Sequence, residues 1–101
     1  MVQVPIDLPL PAIGELCQRY AVRELALFGS VLGSNFNDAS DVDILVDFRQ
    51  DAHIGLLALS GLQEELSHLV RRKVDLVPKK GLKPRIRESI LASAKVIYAS
   101  R

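Results

Sequence analysis

Leu27-Phe28-Gly29-Ser30, ten intervening residues, then Asp41-Val42-Asp43-Ile44-Leu45-Val46-Asp47 is the stretch that decides the fold. Leu25 to Phe28 is short, apolar and bounded by Gly29, the pattern of a buried strand. Gly29 allows close backbone approach, and Ser30 adds a hydroxyl and a candidate helix N-cap. A turn of this kind presents free N–H groups on which a phosphate can sit. Asp41 and Asp43 are two residues apart on the second strand, so both side chains project from one face. Neighbouring carboxylates repel unless a cation or a proton lies between them, and an oxygen-only pair suits Mg²⁺. A phosphate cradle beside such a pair is the equipment for phosphoryl or nucleotidyl transfer. The plainer alternative is a strand that starts in an Asp-rich turn with both acids solvated.

Working outward, the second strand is expected over Val42–Phe48, with Val42, Ile44 and Val46 in the core. Asp41, Asp43, Leu45 and Asp47 take the other face, Leu45 as a buried exception and Asp47 as a solvated strand end. Between the strands, a short helical turn from Ser30 lets Val31 or Leu32 anchor the loop, and Ser34 to Ser40 is a polar turn region. Upstream, Pro5, Pro9 and Pro11 predict an extended lead-in over 1–11. Ile13, Leu16, Cys17 and Tyr20 then fall at helical spacing over 11–20.

Downstream, Arg49 to His53 is a turn with Asp51 as candidate N-cap. A helix follows over 54–70, with Leu59, Leu62, Leu66 and Leu69 as its stripe and Leu56 and Leu57 widening its apolar face. Arg71-Arg72-Lys73 closes it with the charge its dipole favours. Val74-Asp75-Leu76-Val77 is a strand with an acid among aliphatics, a costly placement unless a cation or hydrogen bonds meet it; the plainer alternative is an edge-strand Asp facing water. Pro84 opens a helix through about Ala92 with Ile86, Ile90 and Leu91 buried, and Lys95–Ala99 is a last strand. His53 and His68 stand alone, without metal-ligand spacing, and are read as surface residues.

The 101 residues, 49% hydrophobic and 25% charged, suit one soluble globular domain spanning 1–101. The fold expected is α/β, a small mixed sheet centred on Arg23–Phe28, Val42–Phe48 and Val74–Val77 with helices packed against it. One cysteine, Cys17, excludes an intrachain disulfide and a cysteine-rich zinc site, and reads as core filler. No apolar run reaches membrane-spanning length, so no membrane partner and a cytoplasmic location are expected. A net charge of +1 and five aromatic residues argue against direct nucleic-acid binding. Eight of the thirteen basic residues lie between Arg71 and Arg87, and five Asp lie between Asp38 and Asp51. That asymmetry suits a basic rim beside an acidic metal centre, or an ordinary solvated face.

Gly29-Ser30, the ten-residue spacing and Asp41-x-Asp43 resemble the signature of the DNA polymerase β-like nucleotidyltransferase superfamily. Phe-Gly-Ser-Val-Leu and Ser-Asp-Val-Asp-Ile-Leu-Val-Asp-Phe are similar to the minimal nucleotidyltransferases, small proteins often paired as antitoxin with a HEPN-domain toxin. The resemblance implies AMP transfer from ATP, with Gly29 and Ser30 on the β- and γ-phosphates and Asp41 and Asp43 on two Mg²⁺ ions roughly 3.5–4 Å apart. It assigns Asp75 as the third carboxylate, a general base or a further metal ligand. The acceptor it suggests is a tyrosine of a HEPN toxin, because a chain this short has little room for a second substrate-binding domain. Relatives often carry a basic residue in the loop after Gly-Ser, whereas here the loop has none. An antitoxin that neutralises its HEPN partner by binding alone is therefore the competing expectation, and self-association is left open.

Overall fold

A computed structural model describes residues 4–100. Residues 1–3 of the expected lead-in lie outside the described residues, and Val4 to Pro9 has no helix or strand. Helix α1 spans Leu10–Arg19, with Pro11 in its first turn, where the missing N–H costs nothing. It buries Ile13, Leu16 and Cys17. Burial pushes the Cys17 thiol up to about 12, so it is an inert core residue, as its helical position suggested.

Strands β1 (Val22–Phe28) and β2 (Val42–Phe48) pair antiparallel, and β4 (Lys95–Ala99) pairs antiparallel with the other side of β1. Helix α2 (Leu56–Val70) carries the chain over to β3 (Val74–Pro78), which pairs parallel with β2. A further helix, α3 (Pro84–Ser93), precedes β4. The sheet is mixed, as expected, and its order is β3-β2-β1-β4. β3 is therefore an edge strand and not part of the centre. Its Val74 and Leu76 N–H groups are met by Ser67 Oγ at 3.0 Å and Gln63 Oε1 at 2.9 Å, so side chains of α2 cover this edge.

The alternation of β2 sorts the two faces of the sheet. Val42, Ile44 and Val46 join Leu25, Leu27, Val74 and Leu76 against Ile13, Leu16, Leu62, Leu66 and Val70 of α1 and α2. Burying each such side chain fully contributes roughly 1.5–3 kcal/mol, so this face supplies most of the stability. On the opposite face, Leu45 is buried with Ala26 and Leu82, bordered by Phe28, Val77, Ile90 and Ala94.

Several expectations fail on this second face and at helix ends. Asp47 is not solvated: it is 7% exposed and ion-paired with Arg23, whose Nε also donates to it at 3.0 Å. Ile86 and Leu91 are exposed and Ile90 is half-buried, because α3 touches the sheet only near its C-terminal end. Leu56 and Leu57 are 78% and 91% exposed, since the first turn of α2 runs past the surface its later turns pack on. Neither Asp51 nor Ser30 caps a helix: Gly55 precedes α2, and Ser30 lies inside a 3₁₀ turn spanning Gly29–Leu32.

Candidate active site

The sheet topology brings the two halves of the motif together. β1 ends at Phe28, and the chain turns at Gly29 with φ +75°, a left-handed conformation that disfavours any side chain. A Cβ on Gly29 would also run into the Asp43 carboxyl group, its Cγ only 3.2 Å away. The positive φ is the constraint that favours glycine, and the close approach to Asp43 adds to it only as far as that carboxyl group cannot swing aside. Val31 is buried and anchors the turn, as its apolar character suggested, while Gly29 and Ser30 are exposed.

Asp43 lies opposite Phe28 on β1 and in register with Asp75 on β3. Asp41 is the residue before β2, two positions from Asp43 and toward the same face. The structure thus brings Gly29, Ser30, Asp41, Asp43 and Asp75 to one end of one sheet face. Asp41 and Asp43 are half-buried; Asp75 is exposed, on the outermost strand. The desolvation cost expected for Asp75 does not arise, because its apolar neighbours in sequence point to the other face.

Burial pushes the Asp43 carboxyl above the usual carboxylate range, and the charges of Asp75 and then Asp41 push it further the same way. The Ser30 backbone amide, donating toward Asp43, opposes the shift. One amide of the expected phosphate turn is therefore directed at a carboxylate instead. Among the described residues, no three His, Cys, Asp or Glu side chains form a ready-made metal cage. His53 and His68 are exposed, as expected.

Two basic residues beside the site were not singled out by the sequence. Lys73 Nζ stands 3.9 Å from Asp41 Oδ2. Arg72 reaches the loop between the strands: its Nη2 donates to the carbonyls of Asn37 and Ser40, and its guanidinium lies 4.4 Å over the Phe36 ring. The available signal was their place in Arg72-Lys73-Val74-Asp75, immediately before the strand that carries the third carboxylate.

A mixed sheet with a Gly-Ser turn abutting in-register carboxylates is the core of a nucleotidyltransferase. The chain belongs to the nucleotidyltransferase domain family, which matches residues 12–97. It is 42% identical over 84 residues to the protein adenylyltransferase MntA of Thermococcus cleftensis, covering 83% of this chain and 81% of that protein. A solved structure described as a candidate minimal nucleotidyltransferase superposes with a TM-score of 0.70 at 35% identity, covering 84% of this chain and 85% of the other. A complex of a tri-AMPylated Shewanella oneidensis HEPN toxin with an MNT antitoxin contains a chain that superposes with a TM-score of 0.64. That match covers 90% of this chain and 70% of the other at 19% identity, and shows likeness of fold.

Proposed function

We propose that this chain moves AMP from ATP to a hydroxyl of a partner protein, a tyrosine of a HEPN-type toxin, and so acts as an antitoxin. One observation carries the reading: Asp43 and Asp75 are in register on neighbouring strands, with the Gly29 turn packed on Asp43. The 42% identity to a protein adenylyltransferase supports adenosine as the nucleoside.

In this reading the Gly29–Ser30 turn binds the β- and γ-phosphates through its exposed hydroxyl and the amides not turned toward Asp43. Asp41 and Asp43 would hold Mg²⁺, and the donor set fits: it is all oxygen, and mutual repulsion at Asp43 is relieved by a cation. The sparse set also fits, because Mg²⁺ commonly keeps waters and substrate phosphates as its other ligands. Bound there, Mg²⁺ supplies charge neutralisation at the phosphates and acidifies the attacking hydroxyl. Asp75, exposed beside Asp43, takes the hydroxyl proton. The acceptor oxygen bonds to the α-phosphorus, the bond to the bridging oxygen breaks, and pyrophosphate leaves. The open setting of Ser30 and Asp75 leaves room for a macromolecular acceptor to complete the site. Use of ATP fits a cytoplasmic setting.

Mass spectrometry of the chain with a HEPN-type partner, ATP and Mg²⁺ tests this. The partner should gain one or more AMP masses with the wild type and none with Asp41→Asn. A stable complex without mass gain would instead establish neutralisation by binding alone. That second reading draws on the loop between the strands, which offers no basic side chain of its own to a triphosphate.

A further inference from the structure

The loop from Gly33 to Ser40 delivers Asp41 to the site, yet its centre is held mainly by its own short-range bonds. Ala39 N–H donates to Asn37 Oδ1 at 2.8 Å, Ser40 N–H to the Asn37 carbonyl at 3.0 Å, and Asn37 N–H to Ser40 Oγ at 3.1 Å. These fix the shape of the turn but not its position on the body of the protein. Two contacts tie the turn to the body: Phe36 packs against the core, and Arg72 reaches the turn's carbonyls from the end of α2. The Arg72 side chain is only 19% exposed, and one guanidinium nitrogen donates both to Asn37 O and, at 2.8 Å, to Ser40 O. The flat group stacks on Phe36, and Asp38, fully exposed at 4.0 Å, adds little.

The other end of this strut is rigid. Arg71 ends α2 in the left-handed conformation, φ 58°, and the Arg71 and Arg72 N–H groups both donate to the Ser67 carbonyl. One residue later, the Lys73 carbonyl accepts from Val42 N–H at 2.8 Å, tying the same backbone to the first residue of β2. Arg72 thus spans from the end of α2 to the two carbonyls that bracket the turn, the second of them adjoining Asp41. A guanidinium suits this position because its flat face can lie on the Phe36 ring while the hydrogens of Nη2 reach both carbonyls.

We infer that Arg72 is a positioning residue for the metal-binding carboxylates, acting through the Phe36–Ser40 turn to hold Asp41 where it and Asp43 share a cation. It supplies from the α2–β3 junction the cationic anchor that the loop lacks in its own sequence. The inference rests on the assignment of Asp41 and Asp43 as Mg²⁺ ligands, and two readouts keep the two claims separable.

The first readout needs no nucleotide or metal. Amide hydrogen exchange of Arg72→Ala should quicken at Ala39 and Ser40 by at least about tenfold relative to wild type, with Ile44 and Leu45 unchanged. The second is the Mg²⁺ dependence of AMP transfer. Half-saturation should rise by roughly 10–100-fold, the usual scale for losing an outer partner of a metal ligand, while the rate at saturating Mg²⁺ is retained. Arg72→Lys should fall between wild type and Arg72→Ala in both. Unchanged exchange at Ala39 and Ser40 overturns the inference, as does a lowered maximal rate with an unshifted Mg²⁺ requirement. If the wild type transfers nothing, the proposed function fails, and loop exchange alone decides whether Arg72 anchors the turn.

Discussion

The two faces of this sheet are built to different rules. Under α1 and α2, the alternate residues of β1, β2 and β3 are aliphatic and fully buried, and packed side chains meet them on every strand. On the other face the same strands carry Glu24, Asp43, Asp47 and Asp75, with only a small apolar patch around Leu45. The strand period of two lets one stretch of chain serve both purposes: Ile44 stabilises the fold while Asp43, its neighbour, is held beside other carboxylates at some cost. Proteins commonly place such unfavourable groupings where function needs them and offset them elsewhere. Here the offsetting packing lies one sheet thickness away.

That contrast can be broken or sharpened by substitution. The largest effect on stability is expected on the covered face. Leu62→Ala, at a site with no exposure, should cost about 2–5 kcal/mol in denaturant unfolding, since little around it can collapse into the space. A loss well below this would mean that the covered face does not dominate stability.

On the acidic face the sign should reverse. The folded protein holds the Asp43 proton more tightly than the unfolded chain does, because its carboxyl titrates above the usual range. Its contribution to stability is therefore fully present below the unfolded value and is lost as pH rises through the folded one. At neutral pH without metal, Asp43→Asn should raise the thermal midpoint slightly, because solvent screens much of the repulsion around a partly exposed carboxylate. The advantage should shrink as pH falls into the carboxylate range. A lower midpoint for Asp43→Asn at neutral pH would show that the carboxylate is stabilised by something other than a bound cation.

The smallest effect is expected where apolar residues face water. Leu57→Ser, at 91% exposure, should change unfolding free energy by no more than about 0.5 kcal/mol. A larger loss would place Leu57 against a surface of the protein in solution and make it part of the core after all.

Much of this arrangement is legible in the sequence because the period of apolar residues is a local property. β2 has the boundaries that alternation predicts, Val42–Phe48, β4 spans Lys95–Ala99 around the short run Val96-Ile97-Tyr98 as expected, and the 3₁₀ turn with buried Val31 follows from an apolar residue just after Gly-Ser. What escapes the sequence is non-local. Val74-Asp75-Leu76-Val77 is compatible with an interior strand and with an edge strand whose Asp faces water, and it is the sheet order that decides for the edge. Asp47 is buried because Arg23, twenty-four positions away, reaches across from β1 to pair with it. Arg72 looks like one more charge at a helix end until the fold sets it against Asn37 and Ser40. The exposure of Leu56, Leu57 and Ile86 escapes for a related reason: helical spacing defines an apolar face but not how far the surface beneath it extends.

The most direct test of the account is AMP incorporation into a HEPN-type partner by Asp43→Asn, measured by mass spectrometry with circular dichroism and melting followed on the same sample. The expected result is a fold retained with a raised metal-free midpoint, and transfer lowered by at least about 10³-fold, beyond what loss of one neutral donor typically costs. Transfer near the wild-type rate from a folded Asp43→Asn protein would contradict the assignment of the acidic face as the site of chemistry.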